Sequence, residues 1–191
     1  YLRYYFSCKL GSGIDDIDFN LEDFVQRVNS DLVGKVVNIA SRCAGFIGKQ
    51  FGGELAGSLP EPELFTEFVE RGEIIAASYE QREFGKAMRE IMELAGRANQ
   101  YIDEHKPWVL TRKPERVDEV QEVCTQALNL FKVLVTYLKP VLPSVAARVE
   151  SFLRCGELDW NNRTSALLAQ RIEPFEPLMV RVESSQVDAM L

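Results

Sequence analysis

Apolar residues recur every three or four positions along most of the chain, which is the spacing of an amphipathic α-helix. The longest stripe begins after Asn20, whose side chain can cap a helix, and it continues to about Phe51. Gly52 and Gly53 then interrupt it, so the pattern predicts one long helix over residues 21–51. The members of this stripe are Leu21, Val25, Val28, Leu32, Val36, Ile39, Cys43 and Ile47.

Four more helices follow from the same spacing. Residues 63–79 and 82–105 form a pair, and Pro107 ends the second helix because the residue before a proline is driven out of helical geometry. A strongly apolar stripe predicts a helix over 117–138, and a shorter amphipathic stripe predicts another over 144–154. The sequence therefore predicts an all-α protein, a helical bundle around one core.

The two ends of the chain lie outside this bundle in the predicted organisation. Residues 1–20 are expected to be a linking helix and loop, residues 21–155 the bundle, and residues 156–191 an irregular C-terminal tail that packs back on it. Strand propensity is concentrated in Leu178–Val182, where the pattern allows a short strand, and Ser184 could cap a final helix.

Composition and charge narrow the roles that such a bundle can have. The 191 residues, 46% of them hydrophobic, suffice for one domain with a sizeable core, and no apolar run reaches the roughly 18 residues of a membrane span. A net charge of −7 disfavours a protein that holds DNA or RNA through many phosphate contacts. We therefore expect neither a membrane nor DNA as a partner.

The chain offers few residues from which a catalytic or metal-binding site could be formed. Four widely spaced cysteines without a CxxC pair are typical of buried thiols in a reducing cytoplasm, and with a single histidine they leave no ligand set for zinc. No phosphate-binding glycine loop or nucleophile motif is present. His105, at a predicted helix end, suits interaction with the helix dipole better than catalysis. We expect a cytoplasmic protein whose present residues include no catalytic group and no cofactor or metal site.

Three polar or aromatic side chains stand at positions with two interpretations. Asn38 and Arg42 are four residues apart, so they share one face of the long predicted helix, and a polar pair on such a face is most often simply solvated. Trp108 directly follows Pro107, and an indole just past a helix end either packs on the core, which the residues alone favour, or is displayed to solvent. The residues by themselves do not decide between structure and binding.

Three segments carry a family resemblance: residues 14–29, which read IDDIDFNLEDFVQRVN, residues 36–46, which read VVNIASRCAGF, and residues 99–108, which read NQYIDEHKPW. In this order and at these separations they resemble the C-terminal half of bacterial methionyl-tRNA synthetases, which are class I aminoacyl-tRNA synthetases. The stretches 129–143 and 171–175 fit the same family. Cys43 departs from it, because many members carry a polar residue such as asparagine there.

The resemblance implies the helical anticodon-binding domain of such an enzyme. In the family, the residues at the positions of Asn38, Arg42 and Trp108 meet the CAU anticodon of tRNA(Met). Arginine offers donors to the O2 and N3 acceptors of cytosine, asparagine offers a donor and an acceptor, and the indole stacks on an unstacked base. We expect a second tier of RNA-binding residues beside them: Asn99, Asp103, His105, Lys106 and Pro107.

The resemblance also implies what lies elsewhere in the enzyme. The class I catalytic motifs HIGH and KMSKS are absent here and lie upstream in the family, so the enzyme's own catalytic domain is expected to precede this chain and to use ATP, with zinc in that part left open. A downstream domain could form a homo-oligomer. Because unstacked loop bases are read by stacking and edge contacts, the acidic net charge is tolerable. We expect only a local basic rim: Lys35, Arg42, Lys49, Arg97, His105, Lys106, Arg112 and Lys113.

Two alternatives stay open at this point. Class I synthetases for valine, isoleucine, leucine or cysteine also carry helical anticodon domains, and the combination of Asn38, Arg42 and Trp108 is the reason for choosing methionine. The other alternative is a helical protein-interaction module that binds no RNA. A tryptophan sealed in the core, or remote from Asn38 and Arg42, would favour that second alternative.

Overall fold

The structure, a computed structural model, describes residues 1–13, 16–183 and 185. Within these ranges the chain is helical without a β-sheet, so the all-α prediction is confirmed. The α-helices are α1 (Leu2–Lys9), α2 (Leu21–Arg27), α3 (Asn38–Phe51), α4 (Pro62–Glu80), α5 (Phe84–His105), α6 (Pro107–Leu110), α7 (Val117–Leu138) and α8 (Pro143–Leu153). A π-helical segment, Val28–Val37, joins α2 to α3, and short 3₁₀ turns cover Pro114–Arg116 and Asn162–Thr164.

Helix α7 is the centre of the bundle. Every residue from 123 to 138 is buried, because α3, α4, α5 and α8 all pack around this helix. A helix that is enclosed on all sides needs apolar residues on all sides, and this explains the strongly apolar stripe of the sequence. None of the helices in the described part of the chain combines the length and the apolar content that crossing a bilayer requires.

Buried polar side chains of α7 tie the C-terminal tail to the bundle. Asn129 accepts from the backbone N–H of Leu167 at 2.6 Å and donates to the carbonyl of the same residue at 3.0 Å. The Lys132 ammonium, almost fully buried, donates to the carbonyls of Asn162 and Ser165 at 2.8 and 2.7 Å. Burial lowers the pKa of Lys132, since desolvation disfavours its charged form. These bonds satisfy the buried polar groups of Asn129 and Lys132, which would otherwise lack partners.

The long helix predicted over residues 21–51 is continuous, but it is not α-helical throughout. The Asn20 side chain caps it as predicted, accepting from the N–H of Asp23 at 2.9 Å. Ten residues, Val28–Val37, are wound as a π-helix, which changes the rotation of the part before them. As a consequence Phe24 is buried, whereas Val25, assigned to the apolar stripe by its spacing, is only half-buried. The predicted stripe therefore packs at this end too, but it missed Phe24, the more deeply buried residue.

The short strand allowed at residues 178–182 does not form. Among the described residues the only β-type pairing is an isolated antiparallel bridge between Glu54 and Arg171. The segment has no neighbouring strand, and side chains bind its backbone instead: Asn29 exchanges two hydrogen bonds with Val182, at 2.9 and 2.8 Å. Strand propensity without a partner strand gives extended chain only. The helix that Ser184 was expected to cap lies outside the described residues.

Gly72 of α4 gives a direct test of the packing against α7. A Cβ there would lie 2.7 Å from the Tyr137 hydroxyl, which is buried and donates to the Phe68 carbonyl. We predict that Gly72→Ala lowers the free energy of unfolding by about 1–3 kcal/mol, measured by urea denaturation, because overpacking displaces buried groups. The control is Gly96→Ala on α5, where a Cβ meets nothing within 4 Å and alanine should stabilise. Equal effects of both changes would contradict the packing.

Candidate nucleic-acid interface

Helices α3 and α5 lie side by side against α7, and one turn of each forms a ladder of polar contacts. The Asn38 side-chain amide donates to Oδ1 of Asn99 at 3.2 Å. One turn further along both helices, the guanidinium of Arg42 donates to Oδ1 of Asp103 at 2.5 Å. Both helices contribute residues four apart, which share one face, so the two contacts stack as successive rungs.

Asn99 acts as the support of this ladder. Its amide nitrogen donates to the carbonyl of Ala95, on its own helix, at 2.8 Å and to the carbonyl of Lys35, at the end of the π-helical segment, at 3.0 Å. Its oxygen accepts from Asn38. Both of its N–H groups are therefore engaged within the protein, and Asn99 holds Asn38 in place. Asn99 was expected to bind RNA, and its hydrogen bonds in the free protein give it a supporting role.

Trp108 reaches the ladder because of a tight reversal after α5. The helix ends at His105, Lys106 adopts the left-handed conformation with φ 47°, and Pro107 starts the one-turn helix α6. Trp108 is thus held on a short helical turn and not on irregular chain. Its indole is half-buried, with its inner edge against the core. The Arg42 guanidinium lies 4.5 Å from the ring centroid, within the range of a cation–π contact.

The structure therefore brings together Asn38, Arg42 and Trp108, together with the supporting residues Asn99 and Asp103. None of these five side chains is sealed in the core, and Asp103 is 61% exposed. The ladder and the indole form one partly open surface, which we call the ladder cluster. It offers a guanidinium fork, an amide and an aromatic plane, the three groups by which proteins read unstacked bases.

The other three second-tier residues, His105, Lys106 and Pro107, have different roles. His105 is directed away from the ladder cluster, since its Nε2 lies 3.2 Å from a carboxylate oxygen of Glu61 and its Nδ1 2.9 Å from the carbonyl of Tyr101. Its ring also lies 4.3 Å from the Tyr101 ring. Lys106 is exposed, and its backbone makes the turn that places Trp108. His105 therefore secures α5, and Pro107, which is buried, fixes the start of the next turn.

The residues of the predicted basic rim have different surroundings. The Gln50 side chain donates to the hydroxyl of Thr111, so the C-terminal end of α3 meets the turn that follows Trp108. This contact, which sequence patterns did not reveal, places the exposed Lys49 and Arg112 beside it. Arg97 donates instead to its helix neighbour Gln100. Lys35, Lys49, Lys106, Arg112 and Lys113 are exposed, and the backbones of Lys35 and Lys106 adjoin the ladder cluster.

Two family models match the chain. Residues 52–180 match a model described as the anticodon binding domain of methionyl tRNA ligase, and residues 1–44 match one described as tRNA synthetases class I (M). The chain belongs to the methionyl-tRNA ligase family, as its anticodon-binding domain. Asn38 and Arg42 lie in the N-terminal match, whereas Trp108 lies in the C-terminal match. The ladder cluster is thus assembled from both parts of the methionyl-tRNA ligase match.

Solved structures show the same fold. The apo form of Mycobacterium tuberculosis methionyl-tRNA synthetase superposes with a TM-score of 0.80 and 18% identity, covering 95% of this chain and 38% of that one. The same enzyme bound by methionyl-adenylate gives a TM-score of 0.73 and 20% identity, covering 82% of this chain and 33% of that one. The chain therefore spans under two fifths of these synthetases, and at such identities the likeness shows the fold alone.

The two rungs of the ladder should differ in their effect on stability. We predict that Asn99→Ala lowers the free energy of unfolding by about 1–3 kcal/mol, because it leaves partly buried carbonyl and amide groups without partners. Asp103→Asn removes only an exposed ion pair, and it should change the free energy by less than about 0.5 kcal/mol. Urea denaturation of both variants measures this. A large loss for Asp103→Asn would mean that the second rung is structural.

Proposed function

We propose that the ladder cluster binds the CAU anticodon of tRNA(Met) and so gives a methionyl-tRNA synthetase its choice of tRNA. The observation that carries the proposal is the convergence of Asn38, Arg42 and Trp108, from two helices and a turn, on one partly open surface. If Asn38 and Arg42 were simply solvated and Trp108 were simply a core residue, nothing would require the three side chains to lie together. Membership in the methionyl-tRNA ligase family supports methionine over valine, isoleucine, leucine or cysteine.

Each side chain has a distinct part in the proposed recognition. The Arg42 fork can donate to the O2 and N3 acceptors of cytosine, whereas uracil carries a donor at N3. Asn38, with one N–H held by Asn99, keeps an amide N–H and its oxygen for a base edge. Trp108 offers a stacking surface worth about 1–3 kcal/mol per base, which any base can use. Stacking therefore supplies affinity, and the two polar groups supply selectivity.

In the free protein, the side chains of the ladder cluster contact one another. Arg42 is paired with Asp103 and also covers one face of the Trp108 ring. A base that stacks on that face must displace the guanidinium. The side chains of the ion pair are 24% and 61% exposed, and a pair of this kind is worth only about 0–1 kcal/mol. Leaving the ring also forfeits a cation–π contact worth about 0.5–1 kcal/mol. The stacking gained on binding, together with a charge-assisted hydrogen bond to the base worth about 1.5–3 kcal/mol, exceeds both costs, so the guanidinium can leave the carboxylate for a base edge.

The proposed function needs the rest of the synthetase. Only residues 1–44 of this chain match the class I model. Methionine activation with ATP therefore belongs to a catalytic part of the synthetase outside this chain. Recognition of the anticodon then lowers the barrier of a transfer step that takes place elsewhere in the same enzyme. Such an enzyme works in the cytoplasm, where translation uses its product. A full-length synthetase carrying this chain is therefore the right object for activity measurements.

Removing the indole tests the stacking part of the proposal. We predict that Trp108→Ala lowers kcat/KM for tRNA charging by about 10–100-fold, which corresponds to about 1–3 kcal/mol of lost stacking. Amino-acid activation without tRNA, measured by ATP–pyrophosphate exchange, should be unchanged. Trp160→Phe is the matched control, because Trp160 packs against Tyr79 and Tyr137 and takes no part in the ladder cluster. If charging and activation fell together, Trp108 would be a structural residue.

Removing the guanidinium tests base recognition. We predict that Arg42→Gln reduces charging of a tRNA with the CAU anticodon about tenfold or more, because a hydrogen bond from a charged group is lost, worth about 1.5–3 kcal/mol. Charging of a tRNA whose first anticodon base is already altered should fall much less. The control is Arg97→Gln, an exposed arginine on α5 that donates to its helix neighbour Gln100. Equal losses on both tRNAs would count against base readout.

A further inference from the structure

The π-helical segment Val28–Val37 ends at the residue before Asn38. In a π-helix each N–H bonds five residues back instead of four, which is rare and usually confined to a single turn at a functional position. Here the segment spans ten residues. A wider winding of this length rotates α3 relative to α2, so the segment determines which side chains of α3 face α5.

Residues on both sides of the segment pack into hydrophobic cores despite this rotation. At the start of the segment, Phe24 packs with Tyr5 and Val28 in a small hydrophobic cluster that is separate from the main core. After it, Ile39 and Ile47 are fully buried in the main core beside α7. The segment therefore lets one continuous helix fill two separate cores and still direct its polar face towards α5.

Three other parts of the chain hold the segment from outside. Tyr4 of α1 donates to a carboxylate oxygen of Asp31 at 2.9 Å. The tail exchanges two hydrogen bonds with Asn29. Asn99 of α5 donates to the carbonyl of Lys35 in the last turn of the segment, and the same amide accepts from Asn38. The last of these contacts couples the π-helical geometry directly to the ladder cluster.

Gly34 is the residue on which the π-helical winding makes a specific demand. A Cβ at this position would lie 3.1 Å from the carbonyl oxygen of Asn29, the residue five positions earlier. That neighbour is backbone and cannot rotate away. In a π-helix the carbonyl five residues back accepts the N–H of the turn, so a Cβ here would press on the acceptor of that turn. Glycine here permits the π-helix, and alanine would favour its conversion to α-helix.

From this geometry we infer that the π-helical segment, kept by Gly34, sets the rotation at which Asn38 and Arg42 meet Asn99, Asp103 and Trp108. Gly34 is thereby a positioning residue for anticodon readout, an inference that rests on the proposed function. Conversion of the turn to α-helix would rotate the polar face of α3 away from α5. A displacement of about 1 Å in a binding constellation can cost up to about 100-fold in rate, so a modest rotation is enough to be measured.

The test is Gly34→Ala in the full-length synthetase, with Gly48→Ala as the matched control. Gly48 is an exposed glycine of α3 whose Cβ would meet nothing within 4 Å. We expect Gly34→Ala to lower kcat/KM for charging of the CAU tRNA about tenfold. Tm should fall only slightly, because the higher helix propensity of alanine offsets part of the cost of the 3.1 Å backbone contact. Gly48→Ala should leave charging unchanged. Charging by Gly34→Ala at the level of the unaltered enzyme would overturn the inference.

A double-mutant cycle separates positioning from general damage. If Gly34 acts through the ladder cluster, Gly34→Ala should reduce charging much less when Arg42→Gln is already present. Fully additive losses, or a fall in Tm as large as that caused by Gly72→Ala, would also overturn the inference. A different result would contradict the proposed function: equal losses of charging by Arg42→Gln on the CAU tRNA and on a tRNA with an altered anticodon. An Arg42→Gln variant that discriminates as proposed, beside a silent Gly34→Ala variant, would overturn the positioning role alone.

Discussion

The side-by-side packing of α3 and α5 against α7 is the constraint on which the rest of the structure depends. Because α7 is enclosed on all sides from residue 123 to 138, neither neighbour can shift along it without opening the core. The register so fixed places Asn38 opposite Asn99, and Arg42 opposite Asp103, 61 residues away in the chain in each case. No single helix could form this surface alone, so the stability of the bundle and the geometry of the ladder cluster are linked.

The same packing explains why the ladder cluster can be both ordered and exchangeable. Asn99 is satisfied within the protein and remains fixed, whereas the Arg42–Asp103 pair lies in contact with water and is weak. An arginine held by a weak partner keeps a defined position in the free state and can still change partner. Fixed support beneath an exchangeable charge is suited to reading a base that must first leave its stack.

Much of the fold could be predicted because helices buried on one face impose a 3.6-residue period on the sequence, and Asn20 and Pro107 mark helix ends by local chemistry. The π-helical segment could not, since apolar residues four apart, such as Val28 and Leu32, fit either winding. The residues of the site came from the family resemblance. Their convergence, and the supporting role of Asn99, depend on tertiary register, which no spacing within the chain contains.

The central claim is that the ladder cluster distinguishes anticodon bases, and fluorine NMR of the protein labelled with 5-fluorotryptophan tests it most directly. The chain has two tryptophans, Trp108 in the ladder cluster and Trp160 against Tyr137, so each resonance can be assigned by substitution. Titration with a stem-loop RNA carrying CAU should shift the Trp108 resonance alone, and a stem-loop with an altered anticodon should do so far more weakly. A Trp108 resonance that responds equally to both RNAs, or to neither at concentrations that saturate charging, would contradict the account.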